Sequence, residues 1–538
     1  MVGRVDATRP AVSLPRPWRI ALVAVPATFV AVFYAWPLAT LLQRVLRSGD
    51  ALDVLQSPGL PRIAWFTFWQ AVVSTLATLV IGVGPAYVIA RFRFTGRRLL
   101  LTLVTLPFML PTVVVGAAFL AVLPTGWHNS VAALLLAHVF FNVAVVVRLV
   151  GGMWATVPRD LTGAARLLGA TPWQVARHVV LPLLQPALTA AAMVVFLFTF
   201  TSFGAATLLA GPAHPTVEVE IARRATQLGD IDGAAVLAVL QLLALTAVIV
   251  CLTAWQRRSA VQLRGRALPL APRTRRQRLL VGGILSVGSF CFATPLIAAV
   301  LKSVRVRGSW TLTAWRTLGS TQVRPGVGLG IDPAASMSTS LRFAVVAAVI
   351  SLLIGTTAAF GIVAARRGGR LLDSGIMLPL GTSAVTIGFG MLITFDQAPF
   401  DWRASWWLIP LGHALVAVPF VVRALVPLLT SIPSERLEAA ALLGASPTRA
   451  HLEVVVRPLL RPIGAATALA AVISLGEFGA TTFLTRSGRE TMPIAIGRLL
   501  GRAGDIPRAQ GFALATLLMI VTAVIVTVAE RPLRSSDA

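Results

Sequence analysis

Charge is scarce in this chain of 538 residues: Asp, Glu, Lys and Arg make up 12 %, whereas 56 % of the side chains are hydrophobic. Soluble domains carry about 25 % charged residues and use them to clothe their cores. The shortage excludes a water-soluble enzyme and leaves the bilayer as the solvent. Lysine is nearly missing, Lys302 being the only one. A phosphate-cradling GxxxxGK[ST] loop needs a lysine after a glycine-bounded run. Lys302 follows Leu301 with no such run, so ATP hydrolysis by that route is excluded. Cysteine is limited to Cys251 and Cys291, both inside apolar runs, which leaves no disulfide scaffold and no metal-ligand spacing. Acids are also few, giving a formal charge of +27. Clustered positive charge would suggest nucleic acid, but here it is dispersed between apolar runs, so no nucleic-acid partner is expected.

Twelve apolar stretches are long enough to cross a bilayer, taking about 20 residues per crossing. They lie near 18–43, 63–90, 99–123, 129–153, 185–209, 234–255, 279–301, 341–365, 372–395, 404–429, 463–485 and 511–529. The first, preceded by Arg4, Arg9, Arg16 and Arg19, exceeds the 7–15 apolar residues of a cleaved signal and is expected to be retained. With the N-terminus inside, 30 of the 47 basic residues fall on the cytoplasmic side, as the positive-inside rule requires. The expectation is a multi-pass protein of the cytoplasmic membrane with both termini inside. Glu477 is then the single acid placed deep within a span.

The chain repeats itself. IPSERLEAAALLGASPTRA at 432–450 matches VPRDLTGAARLLGATPWQVA at 157–176, an offset of 275 that recurs between Phe203-Gly204-Ala205 and Phe478-Gly479-Ala480 and between His138 and His413. An even number of spans per copy makes the two copies parallel, related by an axis along the membrane normal. The expected fold is an all-α polytopic membrane protein with twelve transmembrane helices as two parallel six-helix repeats. Residues 1–255 form the first six-span half, 256–278 a basic cytoplasmic linker and 279–538 the second half.

Each half has one long cytoplasmic segment that is not a span, 154–184 and 430–462. Both begin near a proline, Pro158 or Pro433, pass through small residues, reach Gly169 or Gly444, and restart at Thr171-Pro172 or Ser446-Pro447. Glycine closing one helix and proline opening the next predict a helix–turn–helix hairpin. These segments resemble the cytoplasmic pattern of membrane subunits of binding-protein-dependent ABC importers: Glu-Ala-Ala, three residues, Gly, nine residues, then Ile-x-Leu-Pro. Glu438-Ala439-Ala440 with Gly444 match its head. The first half offers Gly163-Ala164-Ala165 with Gly169, Gly standing in the place of Glu, and Val179-Val180-Leu181-Pro182 as the tail. The second tail, 454–458, carries one extra residue.

The resemblance implies that Ala164, Ala165 and Gly169, with Glu438, Ala439, Ala440 and Gly444, couple the spans to a separate ABC ATPase, in two copies. ATP and magnesium would sit on that subunit, with no cofactor and no metal in this chain. It also implies an extracytoplasmic substrate-binding protein, received by the charged external segments 210–233 and 486–510. The stretches 134–150 and 202–243 look like those of fused thiamine permeases. Iron(III) permeases share that architecture, and 474–484 with 491–500 also look like molybdate and sulfate permeases. Thiamine-like or ferric substrates are thus expected, with a molybdate/sulfate permease as an alternative.

Another alternative is a proton-coupled transporter of six-plus-six spans. Its Gly-x-x-x-Asp-Arg loop is not found in ARFRFTGRR at 90–98. An intramembrane carboxylate marks a functional site by default, so Glu477 and Ser474, with the counterpart Ser202 and nearby Thr199, are expected on the substrate path or gate. A structural gate role for Glu477, either pairing with an Arg or capping a broken helix, is favoured over ligation of substrate. The duplicated His138 and His413 are expected to be helix-interface residues.

Overall fold

The computed structural model describes residues 16–49, 51–258, 268–324, 327–396, 401–402 and 405–534. Arg4, Arg9 and the linker residues Arg264 and Arg266 lie outside them. The described chain is an all-α polytopic membrane protein. Ten helices are long and apolar enough to cross a membrane, and two sharply bent pairs bring the number to twelve. Among the described residues strand is confined to two small hairpins, the first pairing Arg305–Val306 with Ser309–Trp310. A helix satisfies its own backbone hydrogen bonds, which hydrocarbon cannot do for it, and this is why apolar composition dictates helix here.

The third and ninth expected spans are not single rods. Arg97–Met109 and Thr112–Val122 meet at 112°, and Gly368–Gly381 and Ala384–Thr394 at 101°. The residue before a proline is driven to extended backbone, and Leu110, at φ −77° and ψ 146°, obeys Pro111. At the second bend Ser383 restarts the helix, its hydroxyl accepting from the N–H groups of Val385 and Thr386. Tyr34 reaches this bend from the first span, its hydroxyl 2.6 Å from Thr382 Oγ1. The fifth and eleventh spans also differ from expectation. Each begins within the hairpin segment, at Pro172 or Thr448, and stops at Phe200 or Gly476. Short helices Gly204–Leu209 and Gly479–Leu484 come after a break.

The chain forms two compact units. One comprises Met1–Gly49, Leu318–Ala495 and Leu517–Ala538, the other Asp50–Thr317 and Ile496–Thr516. The halves expected at 1–255 and 279–538 follow the sequence repeat; the compact units are composed differently, because the leading span of each expected half packs with helices of the other. In the first unit, span Pro17–Ser48 lies against Pro333–Ala364 so closely that a Cβ on Gly361 would sit 2.6 Å from the Leu22 carbonyl oxygen. In the second, Arg275–Ser303 packs on the third and fourth spans: a Cβ on Gly288 would touch Leu100, and Phe292 stacks on Phe140 with ring centroids 5.3 Å apart.

Helices in lipid gain little from the hydrophobic effect and associate through close packing at small residues. Both units use the same device. Gly82 faces Val146 in one and Gly355 faces Val421 in the other, and an added Cβ would come within 2.7 Å of the valine in each. Gly355→Leu is therefore expected to cost about 1–3 kcal/mol through overpacking. It should lower the melting temperature of the purified protein in detergent, whereas Gly282→Leu, with open space around it, should not. Equal melting of the two variants would refute this packing.

Candidate functional site

Both hairpins form, and both turn in the same way. In the first, helix Arg159–Leu167 ends where Gly169 adopts φ +85°, a left-handed conformation that glycine enters without a side-chain clash. The N–H of Ala170 bonds the Ala165 carbonyl and that of Gly169 the Arg166 carbonyl, both at 3.0 Å, the paired bonds of a Schellman cap. The next helix opens with a capping box between Thr171 and Gln174 and with Pro172 in its first turn. In the second, helix Ser434–Leu442 ends at Gly444, φ +83°, and Ala445 and Gly444 donate to Ala440 and Ala441 at 3.0 Å. Ser446 then caps the helix that opens at Pro447.

This geometry displays apolar side chains that the sequence pattern did not single out. Leu167 and Leu168 are 90 % and 88 % exposed, and Leu442 and Leu443 repeat those values. Ala164, Gly169, Glu438, Ala439 and Gly444 are exposed, and Ala165 and Ala440 half-buried. A recess of about 370 Å³ opens in the crook of the first hairpin beside Leu168, Gly169 and His178. Side chains this exposed and apolar, at one turn in two copies, suit contact with another protein. The leucine doublet before each glycine was the signal available in the sequence.

The second hairpin helix continues directly into a span. Proline lacks an N–H and clashes with the carbonyl four residues earlier. Pro182 and Pro458 each come after a π-helical segment, Ala176–Val180 or Leu452–Val456, which contains that earlier residue. The widened turn accommodates the proline without ending the helix.

Glu477 sits at the far end of the eleventh span, where the helix breaks. Its carboxylate accepts from the backbone N–H of Ala480 at 2.8 Å and of Thr481 at 2.9 Å, so it caps the short helix Gly479–Leu484. Thr481 Oγ1 lies 2.5 Å from Glu477 Oε2. His413 completes the cluster: Nε2 is 2.8 Å from Thr481 Oγ1 and 3.4 Å from Glu477 Oε2, and Nδ1 is 2.7 Å from Ser474 Oγ. Because an ionised carboxylate only accepts, the Thr481 hydroxyl donates to it and takes a bond from His413 Nε2–H. In the neutral ring Nδ1 then accepts from Ser474. All four side chains are buried.

The first half keeps the histidine and loses most of this set. Ser474, Glu477 and Thr481 correspond to Thr199, Ser202 and Ala206. Thr199 returns its hydroxyl to the Val195 carbonyl at 2.9 Å, and its own carbonyl accepts from Gln70 Nε2 at 3.0 Å. Ser202 is buried in the break before Gly204–Leu209. His138 instead meets Ser74, Nδ1 to Oγ at 3.0 Å. Thus Ser474 and Glu477 share one cluster in the first unit, and Thr199 and Ser202 lie on one helix end in the second.

The segments expected outside are not simply solvated. Glu218, Glu220 and Glu490 are buried, so Glu477 is not the only carboxylate away from water. Gln241 Nε2 donates to Glu218 Oε1 at 2.5 Å. Glu220 is held by Arg223 at 2.8 Å and Arg224 at 2.9 Å. Burial raises the Glu220 carboxyl pKa, but hydrogen bonds and charge from these two arginines outweigh it and hold the group below its ordinary value. Cys251 and Cys291, in contrast, are exposed on their helices rather than packed inside.

A model of the binding-protein-dependent transport system inner membrane component family matches residues 78–262 and again residues 351–531. The chain belongs to that family. It is similar to the thiamine transport system permease protein ThiP of Escherichia coli, 26 % identical over 508 residues, covering 90 % of this chain and 91 % of that one. ThiP of Brucella suis is 27 % identical over 501 residues, 87 % of each chain. The putative 2-aminoethylphosphonate transport system permease protein PhnV of Salmonella paratyphi A is 32 % identical over 201 residues, 36 % of this chain and 73 % of that one. As an inner-membrane permease of ABC type the chain is not an enzyme. ATP hydrolysis belongs to a separate subunit, and a substrate-binding protein completes the system.

The carboxylate at the helix break and the carboxylate between two arginines have separate measurable consequences. Glu477→Ala leaves two buried N–H groups without an acceptor, at about 1–3 kcal/mol for each group stranded. It should lower the detergent melting temperature more than Glu477→Gln, which keeps one acceptor oxygen; equal melting of Ala variant and wild type would remove the cap assignment. For Glu220 the folded pKa is depressed, so its contribution to stability is full above the ordinary carboxylate range and is lost as pH falls through the folded value. Melting of wild type and Glu220→Gln should differ at pH 7 and converge in acid; a constant gap would contradict the ion pairing.

Proposed function

We propose that the chain is the membrane permease of an importer for thiamine or a closely similar cation, received from an extracytoplasmic binding protein. The observation that carries the coupling part is the pair of Schellman-closed hairpins, each presenting two leucines at its tip. Two copies of an ABC ATPase, carrying ATP and magnesium, would each take one hairpin through Ala164, Ala165 and Gly169 or through Glu438, Ala439, Ala440 and Gly444. Both termini and both hairpins are then cytoplasmic, consistent with the dominance of Arg on that side.

Thiamine ranks ahead of ferric iron, molybdate or sulfate because the two ThiP relatives match nearly the whole chain. The likeness to PhnV over a shorter stretch makes an organophosphonate the second reading. The break at Glu477 would serve as a gate element: its carboxylate is engaged by Ala480, Thr481 and His413, which favours holding the broken helix over ligating substrate. Thr199, Ser202 and Ser474 would line the path near the two breaks.

Gly444→Arg should abolish uptake of labelled thiamine in cells lacking the wild-type chain while the variant still inserts, because a Cβ meets nothing within 4 Å in the chain but an arginine leaves no room against a docked partner. Gly444→Ala, which carries the same backbone strain at φ +83°, should keep most of the uptake and so separates strain from docking. Normal uptake by the arginine variant would sink the coupling assignment. Parallel uptake of labelled 2-aminoethylphosphonate, ferric iron and molybdate decides the substrate: wild-type uptake of one of these without thiamine would replace the thiamine reading.

A further inference from the structure

The second compact unit contains a cavity of about 830 Å³ whose charge none of the roles above uses. Lys302, Arg305, Arg307 and Arg508 line it with Asp505, and Phe512 supplies an apolar wall. Asp505 lies 3.4 Å from Arg307. Among the described residues Lys302, Arg305 and Arg508 have no carboxylate within ion-pairing distance, so four cations line the cavity against one carboxylate, which is paired with Arg307. Lys302 in the last turn of its helix is favourable there in any case; Arg307 has Asp505, whereas Arg305 and Arg508 have no carboxylate to account for them.

The way Arg307 is held gives an independent sign of purpose. Arg305–Val306 and Ser309–Trp310 form a two-residue hairpin whose loop residues, Arg307 and Gly308, have φ of 50° and 83°. Such a turn favours Asn-Gly, and a long side chain at its first loop position is strained. Strain kept at a ligand-sized cavity suggests that the side chain is wanted at that place. Arg305 is steadied too, its guanidinium 5.9 Å from the Trp310 ring centre.

We propose that this cavity binds the phosphoryl group of an amphipathic organic phosphate, on the extracytoplasmic side. Guanidinium forks match phosphate oxygens two at a time, and the volume suits a small organic ligand with an apolar portion. Two sources share this chemistry: a soluble phosphate ester and the headgroup of an anionic phospholipid. The side of the membrane, but not the anion site, rests on the orientation proposed above.

The test uses the full chain in nanodiscs, with phenyl phosphate as probe and phenol as control, read by equilibrium dialysis. Wild type should bind phenyl phosphate and not phenol. Lys302→Gln combined with Arg508→Gln should weaken binding on the order of tenfold or more. Asp505→Asn should strengthen it by freeing Arg307, a gain that misfolding cannot produce. No binding by wild type, or equal binding by the double variant, overturns the proposal. Adding phosphatidylglycerol to phosphatidylcholine nanodiscs separates the sources: competition with phenyl phosphate assigns a lipid headgroup, and its absence assigns a soluble ester. Arg307→Cys, with Cys251 and Cys291 changed to Ser, should react with an impermeant maleimide added to intact cells. Reaction only after permeabilisation would overturn the orientation and leave the anion site standing.

Discussion

In hydrocarbon a backbone N–H without a partner costs several kcal/mol, and three of the helix breaks are built around that constraint. The break before Gly204–Leu209 has no side-chain cap; these three each bring their own acceptor or remove their own donor. Pro111 has no N–H to strand at the first sharp bend, Ser383 caps the second with its hydroxyl, and Glu477 caps the third with both carboxylate oxygens. An ionised side chain is an expensive way to end a helix in a membrane. The expense is contained because His413, Thr481 and two amides surround it, so the charge is dispersed over a cluster.

Duplication and divergence show which parts of the two copies are under the same demand. The hairpin tips are nearly superposable in their chemistry: same cap, same glycine conformation, same exposed leucine pair. The glycine–valine contacts at 82/146 and 355/421 are kept as well. The breaks are not. Where the second copy builds a carboxylate cluster, the first has Thr199, Ser202 and Ala206, and its histidine turns to Ser74.

Most of the helical architecture was legible in the sequence, because apolar length and the repeat offset are local or pairwise signals. The hairpins were legible for the same reason: Gly169 and Gly444 with the adjoining Thr171-Pro172 and Ser446-Pro447 spell a helix stop and start. The bends were harder. Leu110-Pro111 interrupts a run whose mean hydropathy gives no warning, and hydropathy measures composition rather than direction. Glu477 was visible as an isolated acid, yet its partner His413 comes from 64 residues away, and only packing brings the two together. The burial of Glu218 and Glu220 was hidden by their arginine neighbours, which make the segment look solvated, although those same charges are what allow Glu220 to be buried.

The exchange of leading spans also sets a schedule for assembly. Leu22 is made long before Gly361, the residue whose backbone it touches. At synthesis rates of about 5–20 residues per second, the intervening chain takes roughly 15–70 s to appear. For that interval the first helix sits in the bilayer with the face meant for Pro333–Ala364 covered only by lipid or by whatever protein attends insertion, and Tyr34 waits for Thr382. The order of synthesis therefore gives this helix a second career as a nascent, unaccompanied span, and its sequence has to be tolerable in that state as well as in the finished one.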